Sequence, residues 1–466
     1  MRRAPASLSE TVARELEGMV KSGVLRTGDR LPSVRSFARQ RGVSVSTVLL
    51  AYERLERLGC VDVRHKSGHF VAAPPQAPAP KRTRPKVSSA VSTLVKRLRH
   101  PSMVQLGGAS VAPSLLPLRA LNRTLSSLAR EVSGLGARYE NPRGLRTLRQ
   151  QLVRRALSLG VTLDEDELII TTGATEALSL CLSTLARSSD AVAVESPAYF
   201  GWLQALEHLG IAAVEVPKSA RHGLDLTALA RVLEAGKVRA LLCSPTVCNP
   251  LGSVMPEAQR AALAALLAKH HVPLIEDDAL ADTGWRGRRP KPVKAWDADV
   301  LWVGSVSKAL ALGYRVGWVA AGRHVAAVET GRLALSLAAA TPMQAAVAEF
   351  LSSGAYERHL RKLGPSLEAQ VCRYRAAVVK AFPAGTVVGE PAGGLLLWVE
   401  LPEGVDAVRV CDAAAAAGIS VAPGTLFGAA FRRCLRIGCG APFDARVGAA
   451  IETLGRLAVD PKTRAP

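Results

Sequence analysis

Lys308 closes the run Ser305-Val306-Ser307-Lys308, and Arg315 follows seven positions later. An amine is nucleophilic only when neutral and lightly solvated, and burial depresses a lysine pKa enough to allow that. Small hydroxyl side chains and a planar guanidinium nearby are donors suited to a phosphate. These residue types at this spacing point to a Schiff base formed beside a bound phosphate group.

Pyridoxal phosphate is the cofactor that needs this chemistry. It also needs an anion at its pyridine nitrogen, a donor at its phenolic oxygen, a phosphate cradle and a surface against its ring. Candidates for all of these precede Lys308, in a consistent order. Leu168 to Thr172, Gly173 and Ala174-Thr175-Glu176 read as a strand, a turn and a helix start, whose amides with the Thr175 hydroxyl make a phosphate site. Glu195-Ser-Pro-Ala-Tyr199 places an aromatic ring after a proline turn. Cys248-Asn249-Pro250-Leu-Gly252 holds an amide donor in a turn. Glu276-Asp277-Asp278 ends an apolar strand in three carboxylates, too crowded to go without a cationic partner. Arg436, inside the apolar run Cys434–Gly438, suits a two-pronged clamp on a ligand carboxylate. Each segment alone reads as an ordinary turn or strand end; their shared order sets them apart.

Residues 101–460 resemble the fold type I pyridoxal-phosphate enzymes, the aspartate aminotransferase superfamily. The resemblance implies that Lys308 forms the internal aldimine, Asp277 pairs with the ring nitrogen, Asn249 reaches the phenolic oxygen and Tyr199 stacks on the ring. It also implies that Ala174, Thr175, Ser305, Ser307 and Arg315 hold the phosphate and that Arg436 takes the ligand carboxylate. Tyr139 begins a segment, Tyr139 to Leu145, similar to one whose tyrosine reaches the partner subunit's phosphate, which implies a homodimer. One position departs from the pattern. Relatives carry a tyrosine shortly after the pyridine aspartate, donating to the phenolic oxygen; here Leu280 aligns with it, and a shorter spacing selects Ala279. Neither side chain donates a hydrogen bond, so at most weak transaminase activity is expected.

The first seventy residues form a separate module. Ser7-Leu-Ser-Glu10 has the form of a capping box opening an amphipathic helix to about Val20. A second helix over 34–41 stops at Gly42, and Ser44 N-caps a third helix that ends at Gly59. Residues 60–72 read as two strands around a basic turn. The pair of helices joined at 41–44 fits a helix-turn-helix, with the turn as a wing. This module resembles the GntR-type winged helix in Leu31-Pro32-Ser33-x-Arg35 and Val43-Ser44-x-Ser46-Thr47, although Val45 stands where an arginine is common. Arg35, Ser44, Ser46, Thr47, Lys66, Gly68 and His69 are the expected contacts to double-stranded DNA.

Charge agrees with that partner. The chain of 466 residues carries a formal net charge of +21. Residues 1–73 hold 13 Lys and Arg against 7 Asp and Glu, and residues 74–100 add seven basic residues and no acid. Concentrated positive charge attracts phosphates and releases counterions. The prolines and like charges of 74–100 predict an extended linker, leaving 101–466 as the effector and dimerisation domain. No apolar run approaches the roughly 18 residues that span a membrane. The first residues lack a signal-peptide core, and eight scattered cysteines show no metal or disulfide spacing, so a cytoplasmic protein without a bound metal is expected.

Strand-like stretches at 168–171, 191–194, 211–216, 239–243, 272–276 and 300–304 alternate with helix-like ones. They predict an α/β domain with a mostly parallel sheet, followed by a small C-terminal α+β lobe. A winged helix, a basic linker and an aminotransferase-like body together resemble the MocR family of GntR-type regulators. That implies a bacterial transcriptional regulator sensing pyridoxal phosphate, or an amine or amino acid that reacts with it. Two alternatives are a working aminotransferase with an appended DNA-binding domain, and a regulator whose body is only a dimerisation scaffold.

Overall fold

Ser33, Gly42 and Ser44 set the helix boundaries of the N-terminal module. In this computed structural model, which describes residues 8–21, 25, 28–57, 61–64, 68–71, 81–132, 134–219, 223–285 and 289–459, the Ser33 hydroxyl accepts from the Ser36 amide at 3.2 Å and opens helix Val34–Arg41. Gly42 ends that helix in the left-handed region (φ 64°), where a side chain would be strained. Ser44 then caps helix Val45–Arg57 by accepting from the Thr47 amide at 3.1 Å. Helix Leu8–Lys21 and these two close on Val12, Leu16, Phe37, Val48, Tyr52 and Leu55. Strands Val61–Arg64 and Gly68–Val71 pair antiparallel, giving a winged helix-turn-helix. Ser7, Gly59, Lys66 and the prolines at 74–80 lie outside the described residues.

The chain divides into two compact units at Lys81 and Arg82, and that corrects the expected linker. Residues 82–100 belong to the large unit. Arg82–Thr83 adds an edge strand to its sheet, and Ser88–Arg99 is a helix. Val87, Val91, Leu94 and Leu98 form one apolar stripe at helical spacing and pack on the body. The Glu207 carboxylate accepts from the Val87 and Ser88 amides at 2.7 and 2.9 Å, capping the helix from another element. Of the seven basic residues that looked like linker charge, Lys96, Arg97 and Arg99 lie in the last turn of this helix and the other four precede it.

The body is built on one sheet whose spatial order is Arg82–Thr83, Ala212–Ser219, Ala191–Ser196, Leu241–Cys243, Leu274–Asp277, Leu301–Ser305, Val316–Ala320, Leu168–Thr172. The five strands from Ala212–Ser219 to Leu301–Ser305 are mutually parallel, and Val316–Ala320 runs against both neighbours. These strands are apolar on both faces because helices cover each side, as in other α/β sheets. Helix Ala355–Ala381 leads into a lobe with a four-stranded sheet containing Leu396–Glu400 and Cys434–Gly438, backed by helices Ala407–Ala416 and Ala445–Leu457. Among the described residues no helix is long and apolar enough to cross a membrane.

Candidate cofactor and DNA sites

The strand directions bring the chemistry to one edge. The parallel strands end, on the same side of the sheet, at Ser196, Cys243, Asp277 and Ser305. Each is followed by a segment holding a candidate: Tyr199, Asn249, Asp277 itself, and Ser305 with Lys308. The reversed strand Val316–Ala320 delivers Arg315 to that edge from its start, and Leu168–Thr172 delivers Gly173 and Ala174 from its end. Here a cavity of about 280 Å³ is lined by Ala174, Thr175, Tyr199, Asn249, Asp277, Ser305, Ser307, Lys308, Arg315 and Arg436. Ten site residues spread over 263 positions of sequence thus share one enclosure, at the strand ends where open α/β sheets form clefts. Leu280 and Ala279 both line the same cavity, so either alignment leaves an apolar wall there.

One end of the cavity is a cradle for an anion. Gly173 has φ 77°, and a Cβ on it would lie 2.5 Å from the Arg315 guanidinium. A Cβ on Gly317 would lie 2.5 Å from the Gly173 carbonyl carbon and 2.7 Å from the Ala174 nitrogen. The two glycines therefore let backbone and guanidinium approach the start of helix Ala174–Leu185, which no side chain caps at Gly173. The Ser305 hydroxyl donates to Val316 O at 3.0 Å and lies 3.0 Å from Ser307 Oγ.

At the other end the three carboxylates divide by the alternation of a strand. Glu276 accepts from the Val293 and Lys294 amides at 2.9 and 3.1 Å, and burial pushes its carboxyl up to about 8. Asp278 pairs with Arg289 and accepts from Trp302 Nε1 at 2.7 Å. Asp277 faces the cavity. Its Oδ2 accepts from Trp202 Nε1 at 2.8 Å and its Oδ1 from the Ala279 amide at 3.0 Å. Burial pushes its pKa up, while these two donors and Lys308 pull it down.

Lys308 donates to Ala109 O at 2.8 Å. Burial, then Arg436 and Arg315, lower its pKa to about 8, with Asp277 opposing them. Arg436 is only 1% exposed, and its guanidinium packs against both the Phe200 and Phe427 rings, 5.5 and 5.0 Å from their centres. It donates to Asn249 Oδ1 at 3.1 Å and Gly107 O at 2.5 Å, and its buried Nε has no partner among the described residues. Because Asn249 spends its oxygen on Arg436, its NH₂ is the end left to donate. A buried ion pair between Lys218 and Glu195 (2.8 Å), with Lys218 also against Cys248 Sγ, anchors the turn that carries Asn249.

Tyr139 is not brought to this cavity; it is 87% exposed on its own chain. Trp202, Ser244, Leu98 and the segment Gly108–Ser110 line the cavity without having been expected there. Trp202 stands one helical turn after Tyr199, a spacing that could have flagged it. Inside an apolar run it reads as core.

In the N-terminal module Arg35 and Ser46 are exposed and Thr47 is half-buried. Ser44 Oγ lies 2.8 Å from Ser46 Oγ and 2.7 Å from Thr47 Oγ1 in addition to capping its helix. The His69 ring packs edge-on against Tyr52 at 4.9 Å, so it belongs partly to the core. Gly68 has φ 106°, and a Cβ on it would meet the exposed Arg30 side chain at 3.3 Å. Sequence reasoning missed Arg30 as a neighbour of the wing.

Comparison with known proteins agrees with both halves. Residues 8–71 match the model of bacterial regulatory proteins of the gntR family, and residues 116–454 match aminotransferase class I and II. The chain is a GntR-family transcriptional regulator of the MocR type, with an aminotransferase-like body. It is 36% identical over 459 residues to the uncharacterized HTH-type transcriptional regulator YdcR of Escherichia coli (strain K12), covering 96% of this chain and 98% of that one. The corresponding figures for YjiR of the same strain, another uncharacterized HTH-type transcriptional regulator, are 35% over 460 residues, 95% and 97%. The body of this regulator also has the fold of a crystallised multiple substrate aminotransferase from Thermococcus profundus. That likeness has a TM-score of 0.75 at 24% identity, over 81% of this chain and 96% of the other.

Proposed function

We propose that this regulator binds pyridoxal 5'-phosphate in the cavity at Lys308 and changes its hold on DNA when cofactor, or an amine or amino acid, arrives there. The observation that carries the reading is the convergence of Lys308, Asp277 and the Gly173–Arg315 cradle in one enclosure. The donor set fits the group. Ala174, Thr175, Ser305, Ser307 and Arg315 would take the phosphate, Asp277 the ring nitrogen, Tyr199 the ring face and Asn249 the phenolic oxygen. When bound, the cofactor supplies an aldehyde for amines and an electron-withdrawing ring. Lys308, held near pH 8 by burial and two guanidiniums, keeps a neutral fraction able to attack at physiological pH. Arg436 would exchange Asn249 and Gly107 O for a ligand carboxylate, a bidentate contact that a lysine would not reproduce.

The same contacts offer a route for the signal. Gly107 O and Ala109 O accept from Arg436 and Lys308, the two cations a ligand would recruit. Helix Ser88–Arg99 rests on this segment: a Cβ on Gly107 would lie 2.9 Å from Leu94, and one on Gly108 3.5 Å from Leu98. That helix is the first in the body after the chain leaves the DNA-binding module. A ligand shifts the equilibrium only by its differential affinity for the two arrangements, and releasing both carbonyls supplies such a difference. A homodimer, with Tyr139 reaching its partner's site, would present two winged helices to paired half-sites. A regulator that reads DNA in this way would act in the cytoplasm.

A second reading, residual transamination, is favoured by the retained Lys308, Asp277 and Arg436. The apolar Leu280 weighs against it. The deciding measurement is affinity for the DNA upstream of its own gene, with and without cofactor, and then with a panel of amines and amino acids. A change on addition supports the sensor. Unchanged DNA affinity together with turnover of an amino-acid and keto-acid pair would support the enzyme instead.

A further inference from the structure

Asp278 has a cation, Arg289, but Asp277 has no ion-pair partner among the described residues. Its carboxylate is buried, faces the cavity, and is held by two neutral donors, the Ala279 amide and the Trp202 indole. We propose that Trp202 is the positioning residue for the cofactor's ring nitrogen: its N–H pins the orientation of Asp277 and favours its ionised form. This rests on the cofactor reading above.

Three observations support it. Each Asp277 oxygen takes one protein donor, so the carboxylate plane is fixed at both ends and its remaining acceptor capacity is left for the cavity. An indole nitrogen donates only, so it cannot receive a proton from Asp277. A proton shared with this carboxylate must therefore come from the cavity side, where a pyridine nitrogen would sit. Finally, Trp202 is in the first turn of helix Phe200–Leu209, directly after Tyr199, and the two rings meet edge to face at 6.1 Å and 84°. One helical turn thus sets both the ring-face residue and the carboxylate that pairs with the ring edge. Trp302 donates likewise to Asp278, which has Arg289 besides; Trp202 serves the carboxylate that lacks a cation.

The test is a double-mutant cycle on cofactor affinity in the full chain, using Trp202→Phe, which keeps an aromatic ring and removes the donor, and Asp277→Asn. A hydrogen bond to a charged group implies a loss of at least about tenfold in pyridoxal phosphate affinity for Trp202→Phe in the wild-type background. Little further loss is expected once Asp277 is Asn, because the two residues act as one unit. The visible band of the bound cofactor should also titrate over a different pH range in Trp202→Phe than in wild type. If Trp202→Phe fails to fold, Trp202→His, which retains a ring donor, replaces it, and its affinity should become pH-dependent near neutrality. Equal, additive losses in both backgrounds, or a lower melting temperature with wild-type affinity and spectrum, would overturn the proposal and leave Trp202 a packing residue. Wild type that takes up no cofactor would defeat the cofactor reading itself, an outcome distinct from these.

Discussion

A buried amine at about pH 8 has a kinetic consequence at Lys308. The rate at which the protein captures pyridoxal phosphate should rise with pH to a midpoint near 8, because only the neutral amine attacks. Arg436→Gln removes a positive neighbour, which raises the Lys308 pKa and should move the midpoint upward. A stopped-flow profile with its midpoint near the ordinary 10.5 would contradict this environment. Leu280→Tyr should lower the pH at which the bound cofactor's absorption band changes, by restoring a donor to its phenolic oxygen; a titration identical to wild type would refute the alignment. At this scale the sequence pointed to Lys308, Asp277 and Arg436, and the fold brings the three to one cavity. It was silent on Trp202, whose indole nitrogen matters only because the fold brings it to a carboxylate 75 positions away.

At the scale of elements, the turn after strand Leu274–Asp277 is fastened by Asp282. It accepts from Arg155 and from the Tyr356 hydroxyl, both at 2.7 Å, and pairs with Arg289 at 2.8 Å. These partners outweigh burial and hold its carboxyl down to about 2. A depressed folded-state pKa contributes stability that is complete above the ordinary carboxylate value of 3.8 and is lost as pH falls through about 2. Asp282→Asn should therefore destabilise the body by about 3 kcal/mol at neutral pH, since it leaves a buried guanidinium short of its partner. The variant should also show a flatter acid limb in thermal melts; an unchanged limb would mean the network is not coupled to folding. The strand positions were readable from βαβ alternation, because strands buried on both faces are continuous apolar runs. Helix Ser88–Arg99 was not, because seven basic residues and a preceding proline tract hid the stripe Val87, Val91, Leu94 and Leu98.

For the whole molecule, net charge and domain order carry the prediction. DNA affinity should fall steeply with salt, and Arg35→Ala should weaken binding and reduce the salt slope by about 1 if the side chain meets one phosphate. Thr47→Ala should weaken binding as well. Retained affinity in both variants at moderate salt would place the contact surface elsewhere on the module. The two-part layout was legible because a helix-turn-helix and an alternating α/β body use different local patterns. The junction was not, since composition alone does not distinguish a basic linker from the basic face of a docked helix.

The most direct test of the account is to mix the purified protein with pyridoxal phosphate, reduce with borohydride, and locate the label by peptide mass spectrometry. The account predicts a visible absorption band before reduction, and a phosphopyridoxyl group on the peptide holding Lys308 that is missing from Lys308→Ala. No band, or labelling spread over surface lysines and unchanged in Lys308→Ala, would contradict it.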